Sequence, residues 1–374
     1  MGQLRPVQAH SLFAHDLVDH ISAGTRETCT GIDALYGAWI WREFKKVVIL
    51  RKNFRARSDP QYTNLLARIR MGSAWDGRTR MTETQAGTGP NFTSSDYDTI
   101  RQRQLQGMSP TDQAPFADAP IVCGTKVVRD LLNRELTQDY ANKAGKAMHD
   151  YYALDTFNAL PLNEELQKRT WQLRSALTKD SLGRLPLAIG MKVMVMDNIA
   201  LSAAMVNGAK GILRGVKYST DNKGRRYVDC AYVEIPRSGV NMTGLAANVV
   251  PIVPQKTYIK YKAEDGSLFS LGRTQIGLLP AYAYIDYKSQ GRSLQKVILD
   301  LNGCRSLQSV YVMLSRATSL KTVAVLRSFR PRVLISRLGQ EFRNEFERLE
   351  RLDASTKAEW EAQRTLSDAA FDAY

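Results

Sequence analysis

The chain has 374 residues, 44% hydrophobic and 24% charged, a composition that fits a soluble globular chain of two or three domains. It has no run of 18 or more uncharged apolar residues. The start, Met1-Gly2-Gln3-Leu4-Arg5-Pro6, puts no apolar core behind a basic end, so neither a membrane span nor a secretory leader is expected. Lys and Arg total 52 against 37 Asp and Glu; the net charge of +15 favours a polyanionic partner, nucleic acid before an anionic membrane.

In chain order, residues 45–50 (Lys-Lys-Val-Val-Ile-Leu) predict a short buried strand, followed by a turn over 53–60 and an amphipathic helix over 62–70 with Leu65, Leu66 and Ile69 on one face. From Gly72 to Pro120 the chain is rich in Gly, Ser, Thr, Asp and Pro, which predicts a mobile linker with one polar helix over 94–105, N-capped by Ser94 or Ser95. A strand at 120–123 feeding a helix at 126–141 begins an α/β layer with a parallel sheet. Strand-like runs at 192–196, 211–218, 227–235 and 258–261 follow, with hairpin turns at Asp221-Asn222-Lys223-Gly224 and Glu264-Asp265-Gly266-Ser267. They predict a small β-barrel inserted into that layer. The α/β texture returns with strands at 281–285, 297–301 and 323–326 and a helix over 307–315. Leu334, Leu338, Phe342, Phe346 and Leu349 then mark the packed face of a closing helix. Cys29, Cys123, Cys230 and Cys304 are scattered and read as small core residues in a reducing compartment. His10, His15 and His20, five residues apart, do not share a helix face, so no metal site is expected.

Three segments carry chemistry. Ile285-Asp286-Tyr287-Lys288-Ser289-Gln290-Gly291, followed by Arg292 and Ser293, ends a strand in a turn whose glycine permits close approach to an anion and whose donors suit phosphate oxygens. Ser309 to Ala317 places Ser315 and Arg316 at the end of an amphipathic helix, and a guanidinium suits a transferring γ-phosphoryl group. An arginine near a helix C-terminus can also simply complement the dipole. Leu50-Arg51-Lys52-Asn53-Phe54-Arg55 supplies a second candidate arginine.

The order of Gln3-Leu4-Arg5-Pro6-Val7, Asn53-Phe54-Arg55, Gly190-Met191-Lys192-Val193-Met194, Val206-Asn207-Gly208, Tyr287 to Gly291 and Tyr311 to Arg316 resembles the PIF (petite integration frequency) helicases, most closely the fungal and Helitron-like members, over almost the whole chain. The resemblance implies an α/β, RecA-like P-loop NTPase helicase core with an inserted SH3-like β-barrel, seen here as the C-terminal half. On this reading, residues 1–71 are the remnant of the first RecA-like domain and 72–119 the linker. Residues 120–200 and 275–332 form the second RecA-like domain, 201–274 the barrel and 333–374 the C-terminal helix and tail. It implies ATP and Mg as cofactors of the complete enzyme, single-stranded DNA as partner and no membrane. It further implies 5′-to-3′ translocation, duplex unwinding and a nuclear location, in DNA repair, recombination, telomere maintenance or Helitron transposition. Carried over by motif, Gln3 senses the γ-phosphate, and Arg55 and Arg316 are the arginines that reach it. Gln290 and Gly291 line the nucleotide cleft; Lys288 and Ser289 face DNA, and Tyr287 stacks on a base or sugar.

The sequence departs from the family in several places. No GxxxxGK[ST] phosphate loop occurs in the 374 residues, and no Mg-binding Asp-Glu pair precedes the Gln3 motif. The expectation is therefore no intrinsic ATPase activity and no tight nucleotide binding for these residues alone, with a missing N-terminal ATPase half as a further partner. Ile285 replaces a usual Thr or Ser, leaving Asp286 to cap the next helix; Arg5 replaces a proline and Tyr287 a histidine. Two alternatives stand beside the helicase reading. One is a non-enzymatic single-stranded-DNA-binding module with Tyr218, Tyr227 and Tyr232 as stacking platforms. The other is an inert transposon relic, in which Val47 to Leu50 would be an unpaired, apolar strand edge.

Overall fold

The computed structural model describes residue 13 and residues 29–74, 95–199, 205–236 and 238–371. Gln3, Arg5, the three histidines at 10, 15 and 20, and 75–94 of the expected linker lie outside the described residues.

Among the described residues, several helices precede the first strand of the α/β layer. Helix α1 (Cys29–Glu43), which the sequence did not announce, docks on the C-terminal helix through Trp41, whose Nε1 donates to Glu345 at 2.8 Å. Helix α2 (Pro60–Met71) starts two residues before the expected 62: Asp59 caps it, Pro60 occupies its first position, and Gly72 ends it at φ +67°. The predicted polar helix is shorter than expected, α3 (Asp96–Arg101), and Ser95 caps it by accepting from the Asp98 amide at 3.0 Å.

The α/β layer is a four-stranded parallel sheet in the order β13-β1-β14-β15, built from β1 (Ile121–Cys123), β13 (Ala283–Ile285), β14 (Val297–Asp300) and β15 (Val323–Val325). Alternation divides its residues between two cores. Ile121, Ile298 and Ala324 meet Leu132 and Leu136 of helix α4 (Lys126–Ala144); Val122, Leu299, Val323 and Val325 meet α2 and helix α7 (Leu307–Leu314). Both faces are covered, as a parallel sheet requires. Cys123 sits inside it, its thiol pushed up to about 12 by burial.

The β-rich body begins well before the expected residue 201. Strand β2 (His149–Tyr152) pairs with β5 (Arg184–Leu187) and with β8 (Arg226–Glu234). With β6 (Lys192–Val195), β7 (Lys210–Thr220), β9 (Val249–Ile252) and β12 (Leu278–Pro280) they form a seven-stranded sheet. Its end strands β12 and β5 touch, so the sheet nearly closes into a barrel. Pro186 is tolerated in β5 because that strand pairs on one side only. A second sheet, β10 (Gln255–Lys262), β11 (Leu268–Gln275), β3 (Leu154–Phe157) and β4 (Leu160–Pro161), packs on helix α5 (Glu164–Trp171). Residues 149–187, assigned from sequence to the α/β layer, therefore belong to the β-rich body, because their ladder partners lie there.

The expected strand at 45–50 is not one. Val48 and Leu50 are 74% and 87% exposed, and the segment runs along helix α9 (Gln340–Phe371). Its amides are satisfied by side chains: Val47 donates to Thr356 Oγ1 at 3.0 Å and Ile49 to Asp353 Oδ1 at 2.8 Å, while Arg51 reaches Glu350 and Asp353. A helix offering polar rungs has replaced the ladder that an edge strand would need. The closing apolar stripe is split as well. Leu334 lies on a short helix, α8 (Arg332–Ile335), Leu338 in the link and Phe342 on α9, and all three are buried. No helix among the described residues is long and apolar enough to cross a membrane.

The second sheet is tied to α5 by an ion pair with no solvent contact. Arg273 Nε and Nη2 meet the Asp155 carboxylate at 2.7 and 2.8 Å, with both side chains 0% exposed. Thr170 Oγ1 and Gln167 Nε2 complete the shell at 2.6 and 2.9 Å. Asp155→Ala leaves that guanidinium buried without its counter-charge, and urea denaturation should show a loss of about 3–5 kcal/mol. A loss below about 1 kcal/mol would show that the pair is replaceable by water.

Candidate functional site

The turn after β13 is one helical turn, α6 (Asp286–Ser289). Ile285, not Asp286, occupies its N-cap position and makes no side-chain cap bond. Asp286 is instead the first helical residue. Its carboxyl accepts from the Tyr287 amide at 2.8 Å and from Ser309 Oγ on α7, and burial raises its pKa. The expected cap thus serves as a bridge between two of the chemistry-bearing segments. Ser289, expected to face DNA, is fully buried and donates to the Asp286 carbonyl at 2.6 Å. Gln290 ends the helix, and Gly291 follows at φ +81°, a left-handed conformation that favours glycine. Tyr287 is 42% exposed.

Arg316 lies just past the end of α7, 6% exposed. Its Nε donates to the Val312 carbonyl at 2.7 Å, Nη1 to the carbonyls of Ser289 at 3.4 Å and Arg292 at 3.2 Å, and Nη2 to Ser315 Oγ at 2.7 Å. All of these acceptors are neutral. Arg55, from the segment entering α2, reaches the same corner: its Nε donates to Ser293 Oγ and its Nη1 to the Ser315 carbonyl, both at 2.8 Å. Tyr62 of α2 fastens the corner from beneath by donating to the Leu314 carbonyl at 2.7 Å. Burial, and after it the charge of Arg55, lower the Arg316 pKa to about 10, so it remains cationic at neutral pH. Two arginines 261 positions apart in sequence are thus brought together.

The other buried arginines are handled differently. Arg68 meets Asp96 at 2.7 Å, Arg129 meets Asp130 at 2.6 Å and Asp180 at 2.9 Å, and Arg273 meets Asp155. Among the described residues Arg316 is the buried arginine with no carboxylate against it. A buried cation that faces a second cation favours any anion able to enter, and a terminal phosphate fits the donor set. A Mg ion finds no comparable arrangement, since no cluster of three or more Asp, Glu, His or Cys capable of holding a metal occurs among the described residues.

A second group of cations gathers on the barrel side of α6. Lys288 reaches the Asn207 side chain, and Arg292 Nη2 donates to the Gly208 carbonyl at 2.8 Å. Gly208 itself sits at φ +95°, a left-handed conformation that favours glycine. Much of the Lys210 side chain is open to solvent, but its ammonium lies 4.7 Å from the centre of the Tyr284 ring. Lost hydration there, then repulsion from Arg292 and Lys192, lower its pKa to about 8. Burial lowers Lys288 as well; Asp180 partly offsets this, while Arg292, Lys126 and Arg129 add to it. The sequence placed Arg292 beside the phosphate-suited turn and Asn207 in a motif but gave neither a partner, and it did not mark Lys210. Arg292 stands next to Gly291, but its partner lies 84 positions upstream and nothing local marks the pairing.

Of the expected aromatic platforms, Tyr218 is 39% exposed under the Arg226 guanidinium, and Tyr227 and Tyr232 are half-buried.

No known protein family and no curated protein sequence matches the chain. Among solved structures it is similar to the Pif1 helicase of Candida albicans, at 20% identity and a TM-score of 0.53, over 80% of this chain and 59% of that one. It is also similar to a Bacteroides Pif1 bound to single-stranded DNA, at 17% identity and a TM-score of 0.49, over 80% of this chain and 55% of that one. The chain thus spans less than two-thirds of the length of either. The likeness to the Candida structure is one of fold alone: a RecA-like α/β core with a nearly closed β-barrel.

The low pKa of Lys210 has a signed consequence. Its ammonium is charged below about 8 and is lost as pH rises through that value. Affinity for a single-stranded oligonucleotide, used as a polyanion probe, should fall between about pH 7 and about pH 9, and Lys210→Arg should flatten the profile because an arginine stays charged there. A profile that keeps its slope in the arginine variant assigns the titration to another group.

Proposed function

We propose that the chain forms the arginine-bearing wall of the nucleotide cleft, and part of the single-strand grip, of an ATP-driven 5′-to-3′ DNA helicase. The observation that carries this reading is the meeting of Arg55 and Arg316, with Arg316 buried against neutral acceptors only. Charge spreads over the equatorial oxygens of a transferring γ-phosphoryl group, and two converging guanidiniums stabilise it without rearranging. The same side chain carries the coupling. Arg316 holds the carbonyls of Ser289 and Arg292, so the group that would feel the phosphate also fixes the turn presenting Lys288 and Arg292 to a polyanion. Loss of the phosphate restores repulsion between the guanidiniums and loosens that turn, which alternates the grip on the strand.

The 374 residues contain no GxxxxGK[ST] loop, so the wall that cradles the phosphates is not among them. Gln3 and Gln290 belong to the same reading as γ-phosphate and cleft contacts. A nuclear location, and a role in DNA repair, recombination, telomere maintenance or Helitron transposition, rest on the motif resemblance and are part of the proposal. The basic group of Lys288, Arg292 and Lys210 supports a second reading, a single-stranded-DNA binder without turnover, in which that group acts alone.

The test is ATP hydrolysis with and without single-stranded DNA. It compares this chain with one extended at its N-terminus by a segment bearing the phosphate loop. The chain alone should show none. The extended chain should hydrolyse ATP when DNA is present, and Arg316→Ala should lower that rate by about 10³-fold or more. Undiminished turnover in Arg316→Ala would sink the reading; oligonucleotide binding with no turnover in either form would favour the second.

A further inference from the structure

The outward face of the β10–β11 hairpin is charged and takes no part in the cleft. Successive strand residues point to opposite faces, and in β10 the two faces differ sharply. Ile259 and Tyr261 are buried with Leu271 against Leu162 and Leu166. Lys256, Tyr258, Lys260 and Lys262 occupy the other face and all are exposed, Tyr258 by 62%. Opposite them in register stand Thr274, Gly272, Ser270 and Leu268 of β11, and beyond Gly272 lies Thr156 of β3. The floor is low: the Lys256 stem lies across Gly272, where a Cβ would come within 2.4 Å of its Cε.

None of the three lysines forms an ion pair among the described residues. The two acids at the hairpin tip are engaged elsewhere, Glu264 with Arg169 and Asp265 with the Ser267 amide at 2.9 Å. Alternate residues on a strand stand about 6.8 Å apart, a spacing that suits successive phosphates of an extended nucleic-acid strand. Lysine on an edge strand also discourages pairing with another chain. That role accounts for the charge, but not for an exposed aromatic ring set among the lysines over small, uncharged residues.

We propose that this face is a second nucleic-acid docking surface, with Lys260 and Lys262 holding successive backbone phosphates, Lys256 holding the phosphate two steps beyond Lys260, and Tyr258 stacking on a base between them. It does not depend on the cleft around Lys288, and the chain's excess of 52 basic over 37 acidic residues favours a polyanion over an acidic peptide patch.

The experiment measures binding of the whole chain to a labelled single strand, and to a duplex of the same sequence, over a range of salt concentrations. It compares the unaltered protein with Lys256→Ser/Lys260→Ser/Lys262→Ser, with Tyr258→Ala and with Lys288→Ala; thermal melting checks that each is folded. The triple variant should bind single strands about tenfold or more weakly, and its plot of log affinity against log salt should be shallower by about 2, for three lost phosphate contacts. Tyr258→Ala should weaken single-strand binding and leave that slope unchanged. A loss confined to the duplex would keep the phosphate contacts and assign them to paired DNA. Unchanged affinity and slope on both probes would overturn the proposal, as would self-association of the triple variant with intact binding, the signature of an edge guard. A loss in Lys288→Ala alone would overturn the hairpin surface while keeping the cleft; a loss in the triple variant alone would do the reverse.

Discussion

A guanidinium buried without a counter-charge is the constraint on which the rest of the site turns. Placing Arg316 at 6% exposure against two kinds of neutral acceptor, backbone carbonyl and hydroxyl, satisfies its hydrogen-bonding geometry but leaves its charge uncompensated. The fold neutralises Arg68, Arg129 and Arg273 with aspartates, so an exposed position or a carboxylate neighbour was available in principle for the fourth. Its absence, together with Arg55 two hydrogen bonds away through Ser315, makes the corner a place where negative charge is under-supplied. Asp286, the nearby buried acid, is turned toward Ser309 and does not relieve it.

The surrounding architecture holds that corner still. The parallel sheet supplies β13 on one side and β14 leads into α7 on the other, and the Asp286–Ser309 contact joins the two ends across the sheet. The barrel adds a third support. Its Val206-Asn207-Gly208 loop receives Lys288 and Arg292, and Lys192 of β6 reaches Asp118 ahead of β1. The two bodies are therefore linked through the same short turn that Arg316 grips, which is why one residue can influence both.

Much of this was legible in the residues. The short strands of the parallel sheet, the cap at Ser95 and the glycine-bearing hairpins all follow from patterns of fewer than ten residues, the range over which local chemistry decides. The extent of the barrel was not legible, because His149-Asp150-Tyr151-Tyr152 and Arg184-Leu185-Pro186-Leu187 carry charge or proline and become strands only through partners far along the chain. Residues 45–50 misled for the opposite reason: their β-branched run is locally strand-like, but side chains of α9 take their amides. At the site, Arg55, Arg316, Lys288 and Gly291 could be named from their motifs. The inward turn of Ser289, and the roles of Asn207, Lys210 and Arg292, depend on contacts across tens to hundreds of positions.

The strap of residues 44–53 has a mechanical side. Strands in a sheet resist pulling in parallel, since all their bonds must shear at once. A strap fixed by Thr356, Asp353 and Glu350 to a single helix peels rung by rung instead. Its last rung, Arg51, stands four residues before Arg55. Tension arriving from α1 therefore reaches the segment that carries Arg55 only after those rungs have been released one at a time.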